Sequence, residues 1–260
     1  MTVTDRRPTF NLADLFEIVV DSAPDREALV AGAARRTFAE LDDRANRVAN
    51  HLLGLGLQPG AKVAIYGWNR AEWVETFFGA LKARLVPINI NYRYVADELR
   101  YVFENADVDA VVVERSFLPL VRQIEPELPR LRHVVVLEDG GDAHRGDATP
   151  YEDALAVAGS ERPALSRSGD DLYILYTGGT TGTPKGVMWR HEDIFFAALG
   201  GGGFGQPPIR TPEELATRVW PEDGRVTSLT LAPIMHGAAQ WGMCIMLFGG
   251  GKVVLYTPHG

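Results

Sequence analysis

Short runs of β-branched and apolar residues alternate with longer amphipathic stretches between Thr37 and Ala158, and this alternation most narrows the choice of fold. Lys62–Tyr66, Leu85–Ile90, Ala110–Val113 and His133–Leu137 read as strands. Ala71–Lys82, Tyr94–Glu104, Phe117–Ile124 and Tyr151–Ala158 read as the helices between and after them. Strands this continuously apolar suit a sheet covered on both faces, so the expected fold class is α/β: a layered, largely parallel sheet with flanking helices. The series opens at Thr37-Phe-Ala-Glu40, the spacing of a capping box. Phe38, Leu41, Ala45, Val48, Ala49, Leu52 and Leu53 then recur along one helical face, up to a turn at Gly54–Gly60. Trp73, Phe77, Phe78 and Leu81 supply the packing face of the next helix.

A different kind of segment follows the apolar run Leu172–Tyr176. Residues 176–187 read Tyr-Thr-Gly-Gly-Thr-Thr-Gly-Thr-Pro-Lys-Gly-Val. Gly178, Gly179 and Gly182 permit close backbone approach and leave amide N–H groups free to converge on an oxyanion. Thr177, Thr180, Thr181 and Thr183 add hydroxyl donors, and Lys185 adds a cation on a long stem. The composition suits a polyphosphate. It is not a Walker A sequence, because Pro184 precedes the lysine and Gly186 follows it. On composition alone, a solvent-exposed turn between strands is the alternative.

The chain has 260 residues, 46% hydrophobic and 23% charged, which marks a globular protein with a sizeable core. A formal net charge of −8 argues against nucleic acid as a partner. The single cysteine, Cys244, lies in the apolar run Trp241–Phe248 and has no partner for an internal disulfide, so a buried apolar role is expected. No signal segment follows Met1–Pro8, and no apolar stretch reaches transmembrane length, from which a cytoplasmic location is inferred.

Further along, Gly200–Gly203 and Pro207-Pro208 suggest a mobile loop leading to a helix at Glu213–Val219. Thr227–Leu231 and Lys252–Tyr256 read as strands. Between them stands Pro233-Ile-Met-His236-Gly-Ala-Ala-Gln-Trp241. His236 at a pocket mouth, with Gly237, Ala238 and Ala239 leaving room for an apolar ligand, is one reading; a satisfied structural histidine is the other.

Together, 176–186 and the His236 segment resemble the acyl-adenylate-forming enzymes, especially acyl-CoA synthetases of the fatty acid ligase type. Members commonly carry Ser where this chain has Gly179. Phe38–Leu55 is similar to the family's early helix, and Ala80–Asn91 to its Gly-Ala-x-x-x-Pro-x-Asn region, with Arg84 at a position often taken by Gly; both are expected as scaffold. The resemblance implies that Thr177–Lys185 binds the β and γ phosphates of ATP while a carboxylate attacks the α phosphorus. It assigns catalytic roles to Lys185 and His236, the first neutralising phosphate charge and the second positioning the carboxylate. Mg2+ accompanies ATP, coenzyme A accepts the acyl group, and the substrate is a small carboxylic acid, fatty or otherwise hydrophobic. No protein metal ligand is assigned. The family's adenine-recognition segment, ribose-binding Asp, hinge and lysine-bearing small domain have no counterpart in the chain. The expectation is therefore a partial amino-terminal AMP-binding domain over 1–260, inactive by itself and exposing apolar surface. An aryl-acid or carrier-protein ligase and a noncatalytic ATP-binding or interaction module are the alternatives.

Overall fold

The computed structural model describes residues 8–178, 182–203 and 206–257. After Asn11, whose side chain caps it, α1 (Leu12–Ser22) leads to an antiparallel pair, β1 (Glu27–Ala31) and β2 (Ala34–Thr37). The chain continues through α2 (Phe38–Gly54), β3 (Lys62–Tyr66), α3 (Ala71–Lys82), β4 (Val86–Asn89), α4 (Ala96–Asn105) and β5 (Val108–Glu114). Then come α5 (Leu118–Ile124), β6 (His133–Leu137), the short β7 (Thr149–Pro150) and α6 (Tyr151–Val157). The last part holds β8 (Leu172–Thr177), β9 (Lys185–Arg190), α7 (His191–Ala198), β10 (Thr227–Thr230), α8 (Gly237–Phe248) and β11 (Lys252–Leu255).

The larger sheet has the order β4-β3-β5-β6-β7 and is parallel throughout. Every residue of β5 is buried, as a strand covered on both faces requires. Its register carries Val111, Val112 and Val113 beside Val134, Val135 and Val136 of β6. Each such side chain withdrawn from water contributes about 1.5–3 kcal/mol. A second sheet, β10-β11-β1-β2, is parallel except for β1 with β2, and β8 with β9 forms a separate antiparallel hairpin. The α/β class and the largely parallel sheet expected from the sequence are both present.

The capping box forms as expected. The Glu40 amide donates to Thr37 Oγ1 at 3.1 Å, and the Thr37 amide donates to Glu40 Oε2 at 2.7 Å. At the far end of α3, Arg84 adopts φ 59°, the left-handed conformation for which glycine is favoured. Its amide donates to Leu81 O and the Leu85 amide to Ala80 O, a Schellman closure of the helix. The non-glycine residue is held there by Asp171, whose Oδ1 lies 2.6 Å from the guanidinium.

Differences from the sequence reading are local. α1, the β1–β2 pair, β7, β9, α7 and α8 were not anticipated, the last having been read only as an apolar run, and the helix expected at Glu213–Val219 is a tight 3-10 stretch, Pro212–Arg218. Around α1 a buried ion network replaces part of the apolar packing. Lys82, fully buried, sits 2.5 Å from Glu17 and 2.7 Å from Asp42, while Arg167 reaches Asp14 and Glu17 at 2.8 and 2.9 Å. Burial works to raise the Glu17 carboxyl, but Lys82 and Arg167 outweigh it and hold the group down at about 2. No helix among the described residues is long and apolar enough to cross a membrane.

Candidate functional site

β8 is apolar and buried from Tyr173 through Tyr176, then emerges at Thr177. The chain returns as β9, pairing Tyr176 with Gly186 and Thr177 with Lys185. The glycine and threonine segment is therefore the tip of a hairpin, and Lys185 begins the return strand. Thr177, Gly178, Gly182, Thr183 and Lys185 are exposed at this tip, whereas Pro184 is buried. Gly179, Thr180 and Thr181 lie outside the described residues. Gly182 has φ 118°, which an L side chain adopts only under strain. Among the described residues, no carboxylate pairs with Lys185. The return strand carries little period-2 apolar signal, and its outer residues Val187 and Met188 are exposed, which is why it escaped the sequence reading.

His236 is the N-cap residue of α8, with φ −94° and ψ 140°, and its amide donates to Pro233 O at 3.0 Å. The first-turn N–H groups of a helix lack intrahelical acceptors, so the positive end of the α8 dipole lies here. The imidazole is exposed; its proton affinity is lowered by partial loss of hydration and then by the Arg93 guanidinium. The room expected at Gly237 is taken by the protein itself. A Cβ there would fall 2.5 Å from Leu175 Cδ2, so glycine is what lets α8 start against β8. Ala239 is likewise buried, and Ala238 is exposed.

Two candidate centres that lie far apart in the sequence are joined through Asn89, at the carboxyl end of β4. The Tyr176 amide donates to Asn89 Oδ1 at 2.8 Å, while Asn89 Nδ2 donates to Tyr176 O at 2.8 Å and to Met235 O at 2.7 Å. A second amide, Asn69, accepts from the Ile234 amide at 2.8 Å and donates to Ala232 O and Tyr256 O, each at 3.2 Å. Gln240 completes the set. Its Nε2 donates to Ile234 O at 3.2 Å, its Oε1 accepts from the Tyr173 hydroxyl, and Trp241 Nε1 donates to that hydroxyl at 3.1 Å. Three side-chain amides from separate elements thus hold the backbone of 232–235, directly before His236. The sequence reading treated Asn89 as scaffold and did not single out Asn69 or Gln240.

The apolar run after His236 is mainly core. Met243, Cys244 and Leu247 are buried on the inner face of α8, and burial pushes the Cys244 thiol up to about 12. At the opposite end of α8, about 18 Å from His236 by helix rise, a cavity of ≈ 400 Å3 is lined by Phe195, Leu199, Gly201, Trp220, Ile245 and Phe248. Gly200 and Gly203 turn there with φ 110° and 94°. Among the described residues there is no cluster of three or more His, Cys, Asp or Glu able to hold a metal.

A family profile described as AMP-binding enzyme matches residues 16–260. Over 250 residues the chain is 43% identical to a 3-oxocholest-4-en-26-oate–CoA ligase of Rhodococcus rhodochrous, an alignment covering 95% of this chain and 45% of that relative. A medium/long-chain-fatty-acid–CoA/3-oxocholest-4-en-26-oate–CoA ligase of Mycobacterium tuberculosis is 40% identical over 247 residues, covering 94% and 45% respectively. The crystal structure of the anthranilate CoA ligase AuaEII in complex with anthranoyl-AMP superposes with a TM-score of 0.82 at 26% identity, covering 100% of this chain and 47% of that one. The chain spans about half the length of the curated relatives it matches.

Proposed function

The chain belongs to the AMP-binding enzyme family, and on that premise we propose that it supplies the phosphate-handling and carboxylate-positioning part of an ATP-dependent acyl-CoA synthetase. The reaction is assigned to a polypeptide of the relatives' length, of which this chain is an amino-terminal AMP-binding portion. A carboxylate oxygen of a hydrophobic acid attacks the α phosphorus of ATP, the bond to the β phosphate breaks, and pyrophosphate leaves. The thiol of coenzyme A then attacks the acyl carbon of the acyl-adenylate and AMP departs.

In this reading the hairpin tip, Thr177–Lys185, cradles the β and γ phosphates with amide and hydroxyl donors. Lys185 offsets the charge that builds on the leaving pyrophosphate. His236 aligns the carboxylate beside the α phosphorus. It is not a general base, because a carboxylate is already a nucleophile and needs placement rather than deprotonation. The observation that carries the proposal is that Asn89 ties the hairpin bearing Lys185, which meets no carboxylate among the described residues, to the His236 segment. The relatives' names, which cite fatty and steroid acids, support a hydrophobic acid.

Mg2+ belongs to this reading only as a counter-ion on the phosphates of ATP. Residues 176–187 include no carboxylate to hold it, and no step is assigned to it. A cytoplasmic location follows from the same reading, since ATP and coenzyme A are its substrates. The test is thioester formation by the full-length gene product, with a panel of fatty, steroid and aryl acids. Hydrophobic acids should yield acyl-CoA only when ATP is present; AMP and pyrophosphate release with transfer to a carrier protein but not to coenzyme A would replace the acceptor.

A further inference from the structure

We propose that Asn89 is a positioning residue that sets the separation between the triphosphate loop and His236, an inference that rests on the adenylating function proposed above. Asn89 is 7% exposed and ends β4, where it stands in register with Ile65 of β3, so its Cα is fixed by the parallel sheet. Its carboxamide pairs with the N–H and C=O of Tyr176 as a neighbouring strand's peptide unit would, using one acceptor and one donor. The second Nδ2 proton reaches Met235 O. Tyr176 immediately precedes Thr177, the ladder partner of Lys185, and Met235 immediately precedes His236. One side chain therefore stands a single residue away from each half of the site.

The chemistry of the position admits few substitutes. Asp offers acceptors without donors, Ser lacks the reach to serve three partners, and Leu leaves all three backbone groups without Asn89. Asn69 and Gln240 also hold the 232–235 backbone. Neither bonds to Tyr176: Asn69 holds only the His236 segment, and Gln240 meets β8 at the Tyr173 side chain, three residues before Tyr176, so Asn89 is the one of the three that grips the backbone at the loop's edge. In-line displacement at the α phosphorus needs the carboxylate and the triphosphate within a narrow range of distance and angle, and a 1 Å misplacement can cost about 100-fold in rate.

The test uses the full-length enzyme with Asn89→Ala and, as a smaller change that keeps a polar atom, Asn89→Ser. Carboxylate-dependent pyrophosphate release is measured for both below their melting temperatures and expressed per folded molecule. The expected result is a fall in kcat of about 100-fold with the KM for ATP unchanged, because the loop still binds phosphate but no longer presents it to the acid. A melting temperature lowered without any change in kcat per folded molecule, in either variant, overturns the proposal and leaves Asn89 as a structural hydrogen-bonding residue. If the unsubstituted full-length enzyme releases no pyrophosphate with any acid, the adenylating function itself fails, and the role of Asn89 fails with it.

Discussion

Thr177 and Lys185 face each other across the last rung of the β8–β9 ladder, so the two ends of the glycine and threonine loop are held at one strand spacing. The lysine is thereby fixed at the base of the loop, without a carboxylate partner among the described residues. In the full-length enzyme, Lys185→Ala is expected to lower kcat for adenylate formation by about 100-fold or more, the usual scale for losing one preorganised charge or donor. The KM for the acid should change far less. Pre-steady-state pyrophosphate release checks this, and an unchanged rate at saturating substrate would remove Lys185 from the phosphate site.

His236 stands at the start of α8 with its ring exposed and its proton affinity lowered by lost hydration and Arg93. His236→Ala should raise the KM for the acid by about tenfold, the effect of one lost hydrogen bond, or shift acid selectivity. The fold should be unaffected, since the side chain makes no capping bond. Equal KM values and selectivity in a folded variant would make His236 a bystander.

Acid should destabilise the chain in two steps. Buried His191, 1% exposed, accepts from the Leu12 amide at Nδ1 and meets Leu172 O through Nε2, an arrangement that suits the neutral ring. Burial lowers it from 6.5 to about 4. The unfolded chain therefore binds this proton first as pH falls. The contribution is complete above about 6.5 and is lost progressively toward 4, reaching roughly 3 kcal/mol. Glu17 acts lower, its contribution complete above 4.5 and lost toward about 2. Urea midpoints measured from pH 7 to pH 3 should decline in this order, and His191→Gln should flatten only the upper step. A decline above pH 5 that survives the substitution would assign it to another group.

Arg84 combines a strained backbone with a useful side chain. Arg84→Ala keeps φ 59° and loses the pair with Asp171, whereas Arg84→Gly loses the pair but relieves the strain. The glycine variant should be the more stable of the two by about 1 kcal/mol. Urea unfolding compares them, and an alanine variant as stable as the glycine variant would mean that the left-handed conformation is not retained.

What the residues reveal in advance follows the range of the forces involved. Val134–Val136 and the Thr37–Glu40 capping box are local signals, and both lead to the structure observed. α1 also had a local signal that went unread: Asn11 as cap, then Leu12, Leu15, Phe16, Val19 and Val20 at helical spacing. Arg84 was noticed as a departure from glycine, and its positive φ supplies the reason glycine is common there. Asn89 was not legible as a clamp, because its partners Tyr176 and Met235 lie 87 and 146 residues away and it bonds to their backbone, which leaves no mark on their side chains. The room expected at Gly237 was misread for a related reason. Small residues before an apolar run suit a ligand or a neighbouring strand equally, and here Leu175 fills the space.

The central claim, that the hairpin loop and His236 form one carboxylate-activating site on ATP, is tested most directly by pyrophosphate–ATP exchange in the full-length enzyme without coenzyme A. Exchange should appear only when a hydrophobic carboxylic acid is supplied, and it should fall by about 100-fold in Lys185→Ala. Exchange that runs without any acid, or none with any acid in a folded enzyme that binds ATP, would contradict it.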